Sequence, residues 1–132
     1  PSPEQRMHLY RRIARIRSEE EADDMTDELI DRFGDPPRPV NNLIAVALLR
    51  AAAARCGVTE IAQKHGSLLF TVKDPDFRQV AELCTRPDYK GRLLFSAGEK
   101  PYLSLKLKKG EDSLRLARRL VADYGGPVRK AD

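Results

Sequence analysis

Residues 34–37, Gly-Asp-Pro-Pro, constrain the fold of this chain more than any other stretch. Glycine adopts the left-handed backbone that ends a helix, and prolines lack the N–H that would continue the helical ladder. The helix-forming residues on either side must therefore build two separate helices. On the upstream side Ser18 and Glu21 stand at capping-box spacing, and Glu19, Glu20 and Glu21 suit the positive end of a helix dipole. Between Ser18 and Gly34 the apolar residues Ala22, Met25, Leu29 and Phe33 recur at helical spacing, which predicts an amphipathic helix with that stripe in the core. On the downstream side proline suits a first turn. A third helix is predicted to start between Pro37 and Pro39 and run through Leu43, Ile44, Ala47, Leu48 and Ala51 to Cys56, closed by Gly57. Its small side chains let helices approach closely, making it the expected packing centre of the N-terminal half. Ahead of Ser18, Leu9, Ile13 and Ile16 predict another amphipathic helix over Arg6–Ile16.

After Gly57 the period changes. Val58–Gln63 and Ser67–Val72 are short, rich in apolar and β-branched residues, and separated by His65-Gly66, the pattern of a hairpin. Helical spacing returns over Pro75–Thr85 through Phe77, Val80, Ala81 and Cys84. Arg92–Ser96 and Tyr102–Leu107 predict a second strand pair around Gly98. Glu111–Tyr124 predicts a last helix with Leu114, Ala117, Leu120 and Val121 on its apolar face, ended by Gly125-Gly126-Pro127. The expected fold class is α+β: an N-terminal three-helix segment, then two β-hairpins alternating with two helices that cover one face of a small antiparallel or mixed sheet. A length of 132 residues suits one domain, residues 1–132, with a helical part at 4–57 and an α/β part at 58–126. The two β-β-α units form a loose repeat whose side chains do not match well enough to read as a duplication.

Charged residues make up 33% and hydrophobic residues 41%, the balance of a soluble domain with a charged surface. No run reaches the roughly 18 apolar residues that span a membrane, and the start lacks a signal-peptide core, so the expected location is cytoplasmic. The opening Pro1-Ser2-Pro3, without an initiator Met, suggests a fragment of something larger. Cys56 and Cys84 are isolated and expected to be buried thiols.

Chemistry is hard to find. No G-x-x-x-x-G-K-[ST] loop is present to cradle a phosphate. His8 and His65 have no partner at ligand spacing, so no metal site is expected. The carboxylates Glu19, Glu20, Glu21, Asp23, Asp24, Asp27, Glu28 and Asp31 lie on one helix, where solvation is the usual state. None of the serines stands in a nucleophile-elbow pattern. The chain is therefore expected to be no enzyme, with no catalytic residues and no cofactor. Basic residues fall into two groups, Arg6, Arg11, Arg12, Arg15 and Arg17, and Lys106, Lys108, Lys109, Arg115, Arg118 and Arg119. With Tyr89 and Tyr102 nearby for stacking, the alternative function is a nucleic-acid-binding module, although solvated faces are the expected role of both groups.

On a wheel of about 100° per residue, Glu21, Glu28 and Arg32 lie beside the stripe of Leu29, with Asp24 and Asp31 just beyond. Two readings stand open. Glu28 and Arg32 can form an internal i,i+4 pair, worth about 0.2–0.5 kcal/mol. Alternatively, Glu28, Asp31 and Arg32, around Leu29 and Ile30, can form a docking surface that exchanges charge-assisted hydrogen bonds with a partner.

The string Tyr10-Arg11-Arg12-Ile13-Ala14, residues Glu28 through Gly34, Pro37, Asn42-Leu43, and Gly57-Val58 with Ile61 resemble the C-terminal domain of the transcription-repair coupling factors. The match is close over residues 6–62. Beyond them it rests on element order, and His65-Gly66-Ser67 departs from the Gly-Gly often found at that turn. The resemblance implies a regulatory domain of an ATP-driven DNA translocase that displaces stalled RNA polymerase and recruits the repair protein UvrA. It further implies docking on the parent's UvrB-like N-terminal module, masking the UvrA-binding surface until polymerase engagement releases it. Glu28, Asp31 and Arg32 match the family's positions for that interdomain contact.

Overall fold

Ser2 opens the first helix of the computed structural model, which describes residues 2–126. Its hydroxyl accepts the Gln5 N–H at 3.2 Å while the Gln5 side chain accepts the Ser2 N–H at 3.0 Å, a reciprocal cap. Helix α1 (Pro3–Ala14) therefore starts before Arg6 and stops short of Ile16. Helix α2 (Glu19–Phe33) has Ser18 as its N-cap, accepting the Glu21 N–H at 3.1 Å; the Glu21 carboxylate accepts from the Arg17 N–H. Gly34, at φ +85°, ends α2 as the sequence requires. Helix α3 (Arg38–Arg55) follows.

Contacts divide the described residues into two compact units between Ala52 and Ala53, inside the last turns of α3 rather than at Gly57-Val58. Cys56 shows why α3 ends in the second unit: a Cβ at Gly125 would stand 3.3 Å from the Cys56 Cβ.

The first unit buries Ile13, Ile16, Ala22, Met25, Leu29, Ile44 and Ala47, with Leu9, Val40 and Leu48 packed against them. α3 contributes Ile44 and Ala47 to this cluster and α2 contributes Ala22, Met25 and Leu29, so α3 shares the core rather than centring it. Phe33 is a correction to the predicted stripe. It is 48% exposed, because as the last residue of α2 it extends past this cluster, and its ring lies under the Arg32 guanidinium, 5.1 Å away. Leu43 is likewise exposed.

The second unit consists of β1 (Val58–Lys64), β2 (Ser67–Val72), α4 (Phe77–Thr85), β3 (Leu93–Ser96), β4 (Tyr102–Lys106) and α5 (Ser113–Gly125). The four strands form one sheet in the order β1-β2-β4-β3, antiparallel throughout. His65 (φ +51°) and Gly66 (φ +78°) are the two residues between β1 and β2, and their positive φ angles match the tight hairpin turn read from the sequence. Burial alternates along β2 through Leu68, Phe70 and Val72. Across the sheet Phe70 pairs with Leu103 and Leu68 with Leu105, all four buried. Val80 and Leu83 of α4 and Leu116, Ala117, Leu120 and Val121 of α5 complete this core.

Four expectations change here. Leu116 takes the buried place expected of Leu114, and Leu83 that expected of Ala81. Phe77 is 65% exposed, edge-on to Phe95 at 5.7 Å. Cys56 and Cys84 are part-buried rather than buried, and desolvation raises both thiol pKa values. Asp76 and Asp112 cap α4 and α5 through backbone N–H groups. Pro127, expected to help end α5, lies outside the described residues. No described helix is long and apolar enough to cross a membrane.

Candidate functional site

Helix α2 separates fold from surface by azimuth. Ala22, Met25 and Leu29 are buried. Roughly 100° to one side of Leu29 lies Glu28, with Arg32 between them and Asp31 farther round; Ile30 lies roughly 100° to the other side. The exposed Ile30 is therefore not part of the flank that carries the three charged residues, and the expected surface around Leu29 and Ile30 contracts to the charged side.

Glu28 is the best-anchored of the three. Arg12 on α1 donates through Nη1 to Oε2 at 2.5 Å and through Nη2 to Oε1 at 2.8 Å, a fork that uses both carboxylate oxygens. Arg32, the i,i+4 neighbour read from the sequence, reaches Oε2 only at 3.5 Å. Hydrogen bonding from Arg12, and secondarily from Arg32, holds the Glu28 carboxyl at about 2, well below the usual carboxylate range. Glu28 raises the Arg12 pKa in turn. Spacing within one helix could not reveal Arg12 as a partner. Only the joint occurrence of Tyr10–Ala14 and Glu28–Gly34 in the quoted motif hinted that the two segments belong together.

Asp31 and Arg32 are exposed. No side-chain hydrogen bond or ion pair joins Asp31 to another described residue, and the Arg32 side chain has only the long contact to Glu28 and its stacking on Phe33. The flank therefore presents a carboxylate able to accept, and a guanidinium able to donate, a charge-assisted hydrogen bond. Beside it a groove of about 300 Å3 is lined by Arg12, Arg15, Ile16, Glu21, Asp24, Met25 and Glu28.

Elsewhere the basic groups of the sequence are partly neutralised. Arg119 pairs with Asp88 at 2.6 Å. Tyr89, expected near enough for base stacking, is buried instead, its hydroxyl donating to the Asp123 carboxylate. Among the described residues no three His, Cys, Asp or Glu side chains gather at a metal-binding geometry.

A family model described as the TRCF domain matches residues 1–83, which include all of α1, α2 and α3. The transcription-repair-coupling factor of Escherichia coli (strain K12) is 36% identical over 76 residues, covering 56% of this chain and 7% of that protein. Its counterpart in Staphylococcus epidermidis (strain RP62A) is 26% identical over 127 residues, covering 92% of this chain and 11% of that protein. The chain thus spans about a tenth or less of the length of these relatives. The crystal structure of the C-terminal domain of a transcription-repair coupling factor superposes with a TM-score of 0.69 at 17% identity, covering 91% of this chain and 77% of that one, so the two share a fold. With the family match extending over more than half its length, this chain belongs to the TRCF domain family.

Proposed function

We propose that this chain is the non-catalytic, cytoplasmic C-terminal regulatory domain of a transcription-repair coupling factor. In the parent it docks on the UvrB-like N-terminal module through Glu28, Asp31 and Arg32, and there masks the surface that takes UvrA. The observation that supports the reading is the exposed pair Asp31 and Arg32, of opposite sign, on a helix within the family match: Asp31 has no ion pair among the described residues, and Arg32 reaches Glu28 only at 3.5 Å. Charge-assisted bonds at an accessible surface suit a lock that has to open, since a coupling of about 1–3 kcal/mol is enough to regulate. RNA polymerase engagement by the rest of the parent supplies the release.

The test is to titrate the N-terminal module of the parent into this chain, as wild type and with Asp31→Arg/Arg32→Glu, by calorimetry. The expected result is binding by the wild type that the double reversal weakens at least tenfold, with unchanged circular dichroism, and matching gain of UvrA capture by the full-length double variant. Equal binding by both chains, or equal UvrA capture by both parents, overturns the reading.

A further inference from the structure

The Arg12–Glu28 pair sits where the proposed contact has to form, and its geometry raises a question of access. A carboxylate offers one edge to a planar fork, and in this chain Arg12 occupies it with both nitrogens. A second guanidinium cannot take the same edge while Arg12 holds it. The pair is nevertheless not buried: the two side chains are 36% and 35% exposed. The groove beside it has Ile16 and Met25 at its floor, only 5% and 4% exposed, so its accessible walls are mainly those of the charged side chains. Its charged lining comprises three carboxylates, Glu21, Asp24 and Glu28, against two guanidiniums, Arg12 and Arg15. Glu21 is engaged in capping α2, whereas Asp24 has no ion pair with any described residue. The balance favours entry of a cation.

We propose that Arg12 is an internal competitor for Glu28, displaced during docking when a basic side chain of the partner enters this groove and takes over the carboxylate edge, with Asp24 as its second acceptor. The inference rests on the docking reading above and adds the regulation of the same site. In the free chain Arg12 holds Glu28 by both oxygens, and Arg32 reaches one of them only at 3.5 Å. On docking Arg12 is released to solvent, to which about a third of its side chain is already exposed. Competition of this sort lowers affinity without adding any repulsive contact. It keeps the contact weak enough to open while leaving its specificity with the partner's cation. An exposed ion pair of this type shifts such an equilibrium only about two- to fivefold.

The sign of one substitution separates competition from support. If Arg12 merely held Glu28 in place for the partner, its loss would weaken docking; as a competitor, its loss strengthens docking. The experiment titrates the parent's N-terminal module into wild type, Arg12→Gln, Glu28→Gln and the double variant, at a temperature where circular dichroism shows all four folded. Expected are binding about two- to fivefold tighter for Arg12→Gln, weaker for Glu28→Gln, and no tightening by Arg12→Gln in the Glu28→Gln background. Binding by Arg12→Gln that equals or falls below wild type, with Glu28→Gln still weakened, overturns the exchange and leaves the docking reading intact. Indifference of binding to Glu28→Gln overturns the exchange as well, by removing the group competed for. Absence of binding in all four chains overturns both.

Discussion

Arg12 and Glu28, sixteen residues apart in the chain, face each other across the α1–α2 hairpin with two nitrogens against two oxygens at 2.5 and 2.8 Å. The pair links the helix that carries the proposed contact to the helix before it. Its consequence for experiment is immediate. Reversing Glu28 sets two like charges face to face inside the hairpin, so a docking test is cleaner at Asp31 and Arg32.

The pair also sets a pH dependence. The Glu28 carboxyl lies at about 2 in the fold against 4.5 in the unfolded chain. A lowered folded value means that the unfolded chain binds the proton more readily, so the stabilisation is complete above 4.5 and is lost as pH falls towards 2. The expected outcome is that wild type exceeds Glu28→Gln in urea midpoint at neutral pH and that the two curves converge between about 4.5 and about 2. Glu82 and Glu111 are lowered too, by Arg86 and by the Lys108 N–H with Arg92, but they titrate in both chains and cancel in the difference. Curves that stay parallel across this range argue that no such pair forms.

Leu29 and Phe33 occupy successive turns of one apolar stripe and should respond differently to truncation. Leu29 is 6% exposed within the first unit's core, and Leu29→Ala is expected to cost about 2–5 kcal/mol. Phe33→Ala removes a ring that solvent already half covers, for about 1 kcal/mol or less. Denaturant unfolding of both variants checks this; equal losses would mean that Phe33 is buried.

Gly57 and Gly66 share a left-handed backbone but not their surroundings. A Cβ at Gly57 meets the Lys73 carbonyl oxygen at 3.2 Å, while one at Gly66 meets nothing within 4 Å. Both Ala substitutions cost about 1–2 kcal/mol for the backbone conformation. Gly57→Ala is expected to cost more, because the Lys73 N–H also donates to the Gly57 carbonyl and resists the shift that would relieve the contact. Thermal melts of the two variants give the comparison, and a larger loss at Gly66 would contradict it.

Local chemistry made much of this fold readable. Ser18 and Gly34 bound α2, and His65-Gly66 announced its hairpin, because caps and tight turns depend on a few adjacent residues. Orientation at the ends of elements was less legible. Phe33 keeps the helical spacing of its stripe, yet whether a core lies beneath the last turn depends on segments far away in sequence. The same holds for Leu116 over Leu114, where two residues, about 200° round α5, decide burial. At the candidate site, helical spacing and the resemblance grouped Glu28, Asp31 and Arg32, but neither pointed to Arg12 as the partner of Glu28, since a contact between two helices leaves no mark in the periodicity of either.

The strand order β1-β2-β4-β3 also says where the chain entropy of the second unit is lost. Pairing β1 with β2 closes a two-residue loop, and pairing β3 with β4 closes a short one from Ser96 to Tyr102. Joining the two hairpins is different: Thr71 meets Tyr102 only after α4 and β3 have been gathered into the intervening loop. The larger closure penalty falls on that single seam. It is also where Phe70 meets Leu103, two fully buried side chains, so the costliest step in connectivity coincides with one of the richest in buried apolar surface.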